Sequence, residues 1–252
     1  MEDYTGLGAT VWDLFVRGAP GRDASFLRGG LEQRPGLALD VGCGTGRLLL
    51  PFLQAGHQVE GVDASADMLA ILRRNAAELG LAPVIFKQRM QELDLPRTYR
   101  TILVPCGSFQ LVIDRAEAME TLRRFHAHLE PGGVLVLTIY NRWDELKDER
   151  VGEWVRRHRA PLPDGTELEK HARVDARHLL EQTLDITVRY RRLRDEEVIE
   201  EQVVASPERW YFLHELELML ERTGFRDFRV TGNYTETDAN NDDEVFAFFA
   251  TA

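Results

Sequence analysis

The stretch "LDVGCGTGRL", residues 39–48, constrains the fold more than any other part of this chain. Three glycines at every second position follow an apolar run, as in a turn whose backbone approaches a nucleotide so closely that a Cβ atom would collide with it. A dinucleotide-binding turn has the pattern G-x-G-x-x-G, but Arg47 stands where its third glycine belongs, and no Lys-Ser/Thr pair follows as in a P-loop. The stretch therefore favours an adenosine ligand that has no pyrophosphate.

Asp63 is the expected partner of this turn. It ends the second predicted strand, in "VEGVDAS", seventeen residues after Gly46. Ligands of open α/β sheets bind at the carboxyl ends of the strands, where a carboxylate can accept hydrogen bonds from both ribose hydroxyls. A purely structural glycine turn and a helix-capping aspartate are the alternatives, but the two features together favour a nucleoside site.

Strand and helix signals alternate between Gly36 and Tyr140, after a short helical lead-in at residues 1–35. Alternation at this spacing predicts right-handed crossovers and a parallel sheet that helices cover on both faces. Ser65 is expected to cap the helix after the second strand, and Gly80 to end it. The predicted strands are "LALDV", "HQVEGVD", "APVIFKQ", "TILVPC" and "VLVLTIY", and the predicted helices are "GRLLLPFLQAG", "SADMLAILRRNAAELG" and "RAEAMETLRRFHAHLEPGG".

The pattern changes after this alternating part. Residues 141–165 are mixed and rich in turn residues. Residues 166–205 hold three runs of alternating polar and apolar residues, which predict antiparallel strands with one face in water. Ser206 as a cap with Pro207 behind it predicts a helix that runs to Gly224, and two more strands end the chain.

This organisation predicts two units. The main domain would comprise residues 1–140 and 206–252, and residues 141–205 would form an inserted lid or dimerisation subdomain.

Composition narrows the environment in which the chain is expected to work. The 252 residues carry a formal net charge of -11, which argues against broad binding to nucleic acid or to an anionic membrane. Cys43 and Cys106 are the only cysteines and do not form a disulfide framework. The N-terminal stretch has neither a basic n-region nor a long apolar segment. The expected location is the cytoplasm.

Five motifs follow one another along the first part of the chain: "LDVGCGTGRL", "VEGVDASADML", "RMQELDLP", "ILVPCGSFQLV" and "LEPGGVLVLTIY". Their order and spacing resemble those of class I S-adenosylmethionine-dependent methyltransferases over about residues 1–140. The resemblance implies an α/β fold, with a Rossmann-like seven-stranded, mostly parallel sheet, helices on both faces and an inserted small antiparallel sheet. It also implies S-adenosyl-L-methionine as the cofactor.

The same resemblance implies a set of cofactor contacts. Asp40 would orient the glycine turn and the cofactor's amino group, and Asp63 would bind the ribose. Trp12, in "VWDLF", stands where many relatives have a tyrosine that closes over the cofactor, and Arg89 stands where relatives often have an aspartate. The full set of expected cofactor-binding residues is Trp12, Asp40, Gly42, Cys43, Gly44, Gly46, Asp63, Ala64, Met68, Met90, Gln91, Cys106 and Ser108.

The methyl acceptor is expected above the carboxyl edge of the sheet. Methyl transfer from a sulfonium is an in-line displacement, so alignment and exclusion of water matter most, and a general base is needed only if the acceptor must lose a proton. Tyr140 and His214 are the candidate bases. The candidate substrate-binding residues are Phe109, Gln110, Arg142, Trp143, Tyr211, Asn233 and Tyr234. Packing or solvent exposure is the alternative role for each of them.

Two further features bear on the acceptor and on partners. The basic run "VRRHRAP", residues 155–161, is either a solvated surface or a clamp for an anionic acceptor such as a nucleotide-linked sugar. The inserted sheet resembles one found in amino-sugar N,N-dimethyltransferases, where it caps the acceptor site or builds a dimer interface, so a homodimer through residues 166–205 is expected. His126 and His128 point to different faces of a helix and predict no metal site.

The leading prediction is therefore methyl transfer to an N or O atom of a small-molecule acceptor, with no nucleic acid and no membrane as partner. An RNA or protein methyltransferase is an alternative, although "PCGSF" replaces the Asn-Pro-Pro-Tyr type of motif. A cofactor-binding protein without turnover is a second alternative. An NAD-dependent oxidoreductase is disfavoured by Arg47.

Overall fold

The computed structural model describes residues 4–16, 21–147, 150–162 and 164–252. The predicted helical lead-in is confirmed as two helices, α1 (Gly6–Val16) and α2 (Arg22–Gln33). The part of the lead-in at residues 1–3 and 17–20 lies outside the described residues.

The predicted α/β sheet is confirmed. Its seven strands follow the order β11-β12-β5-β4-β1-β2-β3, and all neighbours are parallel except for β12, which runs antiparallel to β5 and to β11. The strands are β1 (Ala38–Val41), β2 (Val59–Asp63), β3 (Ile85–Lys87), β4 (Tyr99–Val104), β5 (Leu129–Tyr140), β11 (Arg226–Gly232) and β12 (Val245–Thr251). The chain leaves β1 toward β2 on one side and returns to β4 on the other, which opens a crevice at the carboxyl end of β1.

Helices cover both faces of this sheet, and alternate residues of β1 show why. Leu39 and Val41 belong to an apolar cluster with residues of α5 (Arg115–Ala127) and α7 (Leu213–Arg222), and the short helix α6 (Trp143–Lys147) lies between these two in the chain. Ala38 belongs to a second cluster with residues of α2, α3 (Leu49–Gln54) and α4 (Ala66–Glu78). Both faces of β1 are therefore buried, which explains its near-continuous apolar sequence.

The ends of two helices test the capping predictions. Ser65 caps α4 as expected, because its hydroxyl accepts a hydrogen bond from the backbone N–H of Met68 at 3.1 Å. The prediction that Pro131-Gly132-Gly133 end the helix α5 is wrong. The helix ends at Ala127, and "LEPGG" already belongs to β5, where the Leu129 position pairs with Tyr99 of β4.

A second, antiparallel sheet follows, and the three predicted strands of residues 166–205 are confirmed. Its strands are β6 (Val155–Pro161), β7 (Glu167–His178), β8 (Thr183–Arg194), β9 (Glu197–Ala205) and β10 (Glu208–Arg209). The strand β6 was not predicted, because four basic residues hide its pairing with β7. One face of the sheet packs on α1 through a third apolar cluster, which includes Val11, Leu168 and Tyr190.

The helix predicted from Ser206 is wrong at its start. Residues Glu208 and Arg209 instead form β10 on β8, and Arg209 donates to the carbonyl of Glu181 at 3.0 Å. The helix α7 begins only at Leu213, where Glu215 accepts from the backbone N–H of Phe212. Because β10 belongs to the second sheet, the division of the chain at residues 205 and 206 stays a prediction.

Candidate active site at the carboxyl edge of the sheet

A cavity of about 540 Å³ lies at the carboxyl ends of β1, β2, β4 and β5. The helix α1 borders it on one side, and residues 205–208 of the second sheet border it on another. Of the expected cofactor-binding residues, the structure brings twelve to its wall: Trp12, Asp40, Gly42, Cys43, Gly44, Asp63, Ala64, Met68, Met90, Gln91, Cys106 and Ser108. Their roles as ligand contacts stay predictions.

The glycine turn separates a ligand-facing glycine from a packing glycine. A Cβ atom at Gly44 (φ +54°) would meet no atom closer than Trp12 Nε1 at 3.6 Å, an ordinary van der Waals distance, and the bare backbone of Gly44 lines the cavity. A Cβ atom at Gly46 (φ +91°) would instead come within 2.8 Å of Leu50 and 3.2 Å of Leu72. Gly46 does not line the cavity, and it serves the packing of the turn on α3 and α4.

Asp63 holds this turn in place. Its Oδ2 accepts from the backbone N–H of Gly44 at 2.9 Å, and its Oδ1 accepts from the backbone N–H of Ser65 at 2.8 Å. Burial raises the pKa of Asp63, and these backbone donors oppose that shift. A carboxylate oxygen has more than one lone pair, so both oxygens retain the capacity to accept ribose hydroxyls.

Asp40 lies beneath the turn and is 1% exposed. Within the described part of the chain, its Oδ1 is buried and has no hydrogen-bond partner. Burial raises its pKa to about 7, and Arg47 opposes that shift. A buried acceptor in a cavity wall that lacks a donor fits a ligand that brings one, such as the ammonium group of an amino acid moiety. The residues present therefore fit the expected cofactor.

The helix α1 is fastened across the cavity by polar contacts at both of its ends. The backbone N–H of Gly6 donates to Asp67 at 2.7 Å. Asp13, which is buried, accepts from the Asn75 side chain at 2.8 Å, and Asn75 also donates to the carbonyl of Thr45 in the glycine turn at 3.2 Å. These contacts place Trp12 beside Gly44. Trp12 was among the expected cofactor contacts, whereas its neighbour Asp13 was not.

A polar cluster at the end of β4 was also missed. Arg47 forms a two-point ion pair with Asp23 of α2, one contact being Nη1 to Oδ1 at 3.1 Å, and its Nη2 donates to Cys106 Sγ at 2.7 Å. Cys106 has a left-handed backbone (φ +57°), and burial raises its thiol pKa to about 11. In the sequence, Arg47 was used only as an argument against a dinucleotide-binding turn. Its position directly behind the glycines was the available signal.

The end of β5 joins the two sheets. Gln110 Oε1 accepts from the backbone N–H of Tyr140 at 2.7 Å, and its Nε2 donates to the carbonyl of Arg209 in β10 at 3.4 Å. Arg142 contacts Glu145 at 3.1 Å and also forms an ion pair with Glu208 of β10. Tyr140, Arg142 and Glu208 all line the cavity, and burial raises the pKa of Tyr140 to about 12.

Several acceptor candidates lie away from this cavity. Phe109 and Tyr211 are buried and stack on each other with ring centroids 5.1 Å apart, and Gln110 is buried behind Tyr140. His214 has an 89% exposed side chain and contacts Glu217 at 2.8 Å, outside the cavity wall.

The remaining candidates are spread over other surfaces. Trp143 is exposed and packs against Phe212. Asn233 and Tyr234 line a neighbouring cavity of about 600 Å³, which shares Trp12, Arg47, Cys106 and Tyr140 with the first. Of all the candidate substrate and catalytic residues, the structure brings only Tyr140 and Arg142 to the first cavity.

The basic run at residues 155–161 is engaged by carboxylates of its own sheet. Arg156 lies 3.4 Å from Glu169, and Arg159 lies 2.6 Å from Glu196 and also pairs with Glu167. The run does not line either described cavity. Among the residues that the structure describes, no helix is long and apolar enough to cross a membrane.

Comparison with known proteins gives four findings. Residues 38–133 match a methyltransferase-domain family. The dTDP-3-amino-3,6-dideoxy-α-D-glucopyranose N,N-dimethyltransferase of Streptomyces fradiae is 34% identical over 145 residues, 54% of this chain and 54% of that protein. The ubiquinone biosynthesis O-methyltransferase of Nitrobacter winogradskyi is 32% identical over 179 residues, 69% of this chain and 66% of that protein. The chain thus spans about half of the first relative and just under two thirds of the second.

The fourth finding is a similar fold. A crystal structure of an S-adenosylmethionine-dependent methyltransferase from Clostridium acetobutylicum superposes with a TM-score of 0.76 at 18% identity, over 96% of both chains. At this identity the likeness bears on the fold, and it includes the second sheet as well as the first.

Proposed function

We propose that this chain, which belongs to the class I S-adenosylmethionine-dependent methyltransferases, transfers a methyl group to the nitrogen of a small-molecule amine. The observation that carries the proposal is the meeting of three features at one cavity. These are the bare backbone at Gly44, the carboxylate of Asp63 and the unpartnered oxygen of Asp40.

The wall of the cavity suggests how the cofactor would be held. Gly42 to Gly44 would lie against the methionine moiety, Asp40 would accept from its amino group, and Asp63 would accept from the ribose. Met68, Met90 and Gln91 line the part of the wall that would face the adenine. When bound, the cofactor supplies an electrophilic methyl carbon on a sulfonium.

The chain's own contribution is alignment and the exclusion of water. The helix α1, fastened at Gly6 and Asp13, would keep Trp12 over the turn, and residues 205–208 would close the side toward the second sheet. Holding two reactants in a near-attack geometry supplies much of the rate of a displacement of this kind. A small cavity between two sheets suits a small acceptor better than a polymer.

Two polar groups of the wall favour nitrogen over oxygen. Tyr140 and Cys106 are titratable groups of the wall at the ends of β5 and β4, and burial raises their pKa values to about 12 and about 11. Both therefore stay protonated near neutral pH and make poor bases. A neutral amine needs no base, because its lone pair attacks the methyl carbon and the resulting ammonium loses its proton to water afterwards.

The comparisons support both an amine and a second candidate. The similarity to an amino-sugar N,N-dimethyltransferase agrees with an amine acceptor. The similarity to an O-methyltransferase of ubiquinone biosynthesis favours a phenolic hydroxyl as the second candidate. A phenol ionises far more readily than an alcohol, so a weak general base is enough to deprotonate it.

The proposal predicts that Tyr140 is no general base. The purified protein would be given S-adenosylmethionine with a labelled methyl group and a panel of amines and phenols, including a nucleotide-linked amino sugar. We expect transfer to amines, and we expect Tyr140→Phe to keep kcat/KM within about threefold between pH 6 and 9.

A loss of about 100-fold in Tyr140→Phe with a normal cofactor affinity would instead indicate base catalysis and a hydroxyl acceptor. His214→Ala, whose side chain lies outside the cavity, is the matched control. Binding of the cofactor without any transfer would favour the non-enzymatic alternative.

A further inference from the structure

Three described arginines line the cavity, and they lie at different ends of it. Arg89 stands beside Met90 at the expected adenine end and lies 3.5 Å from Glu92 and 3.6 Å from Glu117. Arg142 stands at the end of β5 and pairs with Glu145 and Glu208. Arg47 alone among these three lies next to the glycine turn, where the methionine moiety of the cofactor would rest.

The guanidinium of Arg47 is buried and its direction is fixed. Its side chain is 14% exposed, and its contacts to Asp23 and Cys106 use three of the five N–H donors that a guanidinium carries. An arginine held in this way by a carboxylate on one side is preorganised to bind a second anion on another side, because little rotamer freedom remains to be lost.

Arg47 and Asp40 both line the cavity around the glycine turn, and the positive charge of Arg47 opposes the upward shift of the Asp40 pKa. The amino and carboxylate groups of an α-amino acid are attached to one carbon atom. A zwitterion of this kind needs an anion and a cation side by side, and the wall of this cavity offers such a pair directly around the glycine turn.

We propose that Arg47 binds the α-carboxylate of the cofactor's methionine moiety, with Asp23 and Cys106 fixing the orientation of its guanidinium. The inference rests on the proposed function, because it assigns a contact to the same cofactor. Arg47, which stands in place of the third glycine of the dinucleotide pattern, thereby has a binding role of its own. Asp23 is then a positioning residue on α2, and the carboxylate contact ties that helix to the occupied site.

The test compares two ligands by calorimetry, without any turnover. S-adenosylhomocysteine carries the α-carboxylate, and its decarboxylated analogue keeps the adenosine, the sulfur and the amine. We expect the wild-type protein to bind S-adenosylhomocysteine about 10- to 100-fold more tightly, which is the usual range for one charged hydrogen-bonded contact. We expect Arg47→Met to lose most of this difference and to bind the analogue within about twofold of wild type.

Two further variants keep the test decisive. Arg47→Lys, which keeps the charge but loses the planar fork, is expected to retain part of the preference for the carboxylate. Arg28→Met removes an exposed arginine of α2 that pairs only with Glu32 among the contacts described, and it should bind both ligands as wild type does. Thermal unfolding of each variant checks that it is folded.

The outcomes separate this inference from the proposed function. If the wild-type protein binds both ligands equally well, or if Arg47→Met and Arg47→Lys weaken both ligands by the same factor, Arg47 does not bind the carboxylate, although the cofactor site stands. If the wild-type protein binds neither ligand, the proposed function itself is wrong. A variant that does not fold leaves the wild-type comparison of the two ligands as the deciding measurement.

Discussion

The two sides of the cavity are built in different ways. On the side of the seven-stranded sheet, the framework of the site is backbone: left-handed glycines, N–H groups held by Asp63 and a fully buried strand. On the side of the second sheet, it consists of side-chain pairs such as Arg142 with Glu208. A site made of backbone is fixed by local sequence, whereas a site made of side-chain pairs can change one pair at a time. The first suits an unchanging cofactor, and the second suits an acceptor that differs between relatives.

The helix α1 connects the two sides. The side-chain oxygen of Gln202 in β9 accepts from the backbone N–H of Leu7 at 2.8 Å, while Asp67 of α4 holds the neighbouring N–H of Gly6 at 2.7 Å. The helix α1 therefore has contacts with both sides of the cavity.

The largest effect is expected at Asp40, on the backbone-built side. Its folded pKa of about 7 lies above the ordinary value near 4, so its contribution to stability is complete below pH 4 and is lost as the pH rises to 7. The free energy of unfolding should fall relative to Asp40→Asn by up to about 1.4 kcal/mol per pH unit over that range, and the difference should be flat above pH 7. Urea unfolding at a series of pH values measures it.

Asp94→Asn, at an exposed position, is the control and should leave the pH dependence unchanged. Saturating S-adenosylhomocysteine should flatten the slope of the wild-type protein, because an ammonium group beside Asp40 stabilises its ionised form. If wild type and Asp40→Asn differ by the same amount at every pH, the carboxylate is already ionised throughout, and the argument about its missing donor fails.

The next effect distinguishes a packing glycine from a turn glycine. Gly46→Ala places a Cβ atom 2.8 Å from Leu50 at a left-handed position, and we expect it to lower the free energy of unfolding by about 2 to 4 kcal/mol. Gly56 is also left-handed (φ +86°), but a Cβ atom there meets nothing within 4 Å. Gly56→Ala should therefore cost only about 1 kcal/mol. Equal losses in the two variants, measured in urea, would contradict a packing role for Gly46.

The sequence could predict the features that depend on local residues, but not those that depend on pairs distant in the chain. The strand-helix alternation, the glycine turn, the Ser65 cap and the position of Asp63 at the end of β2 could all be predicted, because each depends on residues close together in the chain. The strand β6 was missed because its basic residues are compensated by glutamates of β7, which a linear pattern does not reveal. The helix predicted at Ser206 failed for the same kind of reason, since the pairing of Glu208 and Arg209 with β8 overrides a good local capping signal.

The site shows the same limit. The contact between Asp23 and Arg47 joins residues of α2 and of the glycine turn, and the contact between Arg142 and Glu208 joins two sheets. Neither pair has a signature in the sequence, because each depends on where the chain returns in space. Tyr211 and His214 were expected to complete the acceptor pocket from the late helix, but Tyr211 lies in the core before α7 begins and the side chain of His214 is exposed.

The smallest effect is expected on the side built from side-chain pairs. A double-mutant cycle of Arg142→Met and Glu208→Gln should give a coupling of about 1 to 2 kcal/mol in the free energy of unfolding, because both side chains are mostly buried, at 18% and 20% exposure. The pair of Arg191 and Glu201 in the same sheet is the matched control. It is more exposed, so water screens it, and its coupling should stay below about 0.5 kcal/mol. A coupling near zero for Arg142 and Glu208 would mean that the second sheet is held over the cavity by the apolar contacts of α1 and by the hydrogen bonds of Gln110, and the acceptor side would then also be fixed by packing and backbone.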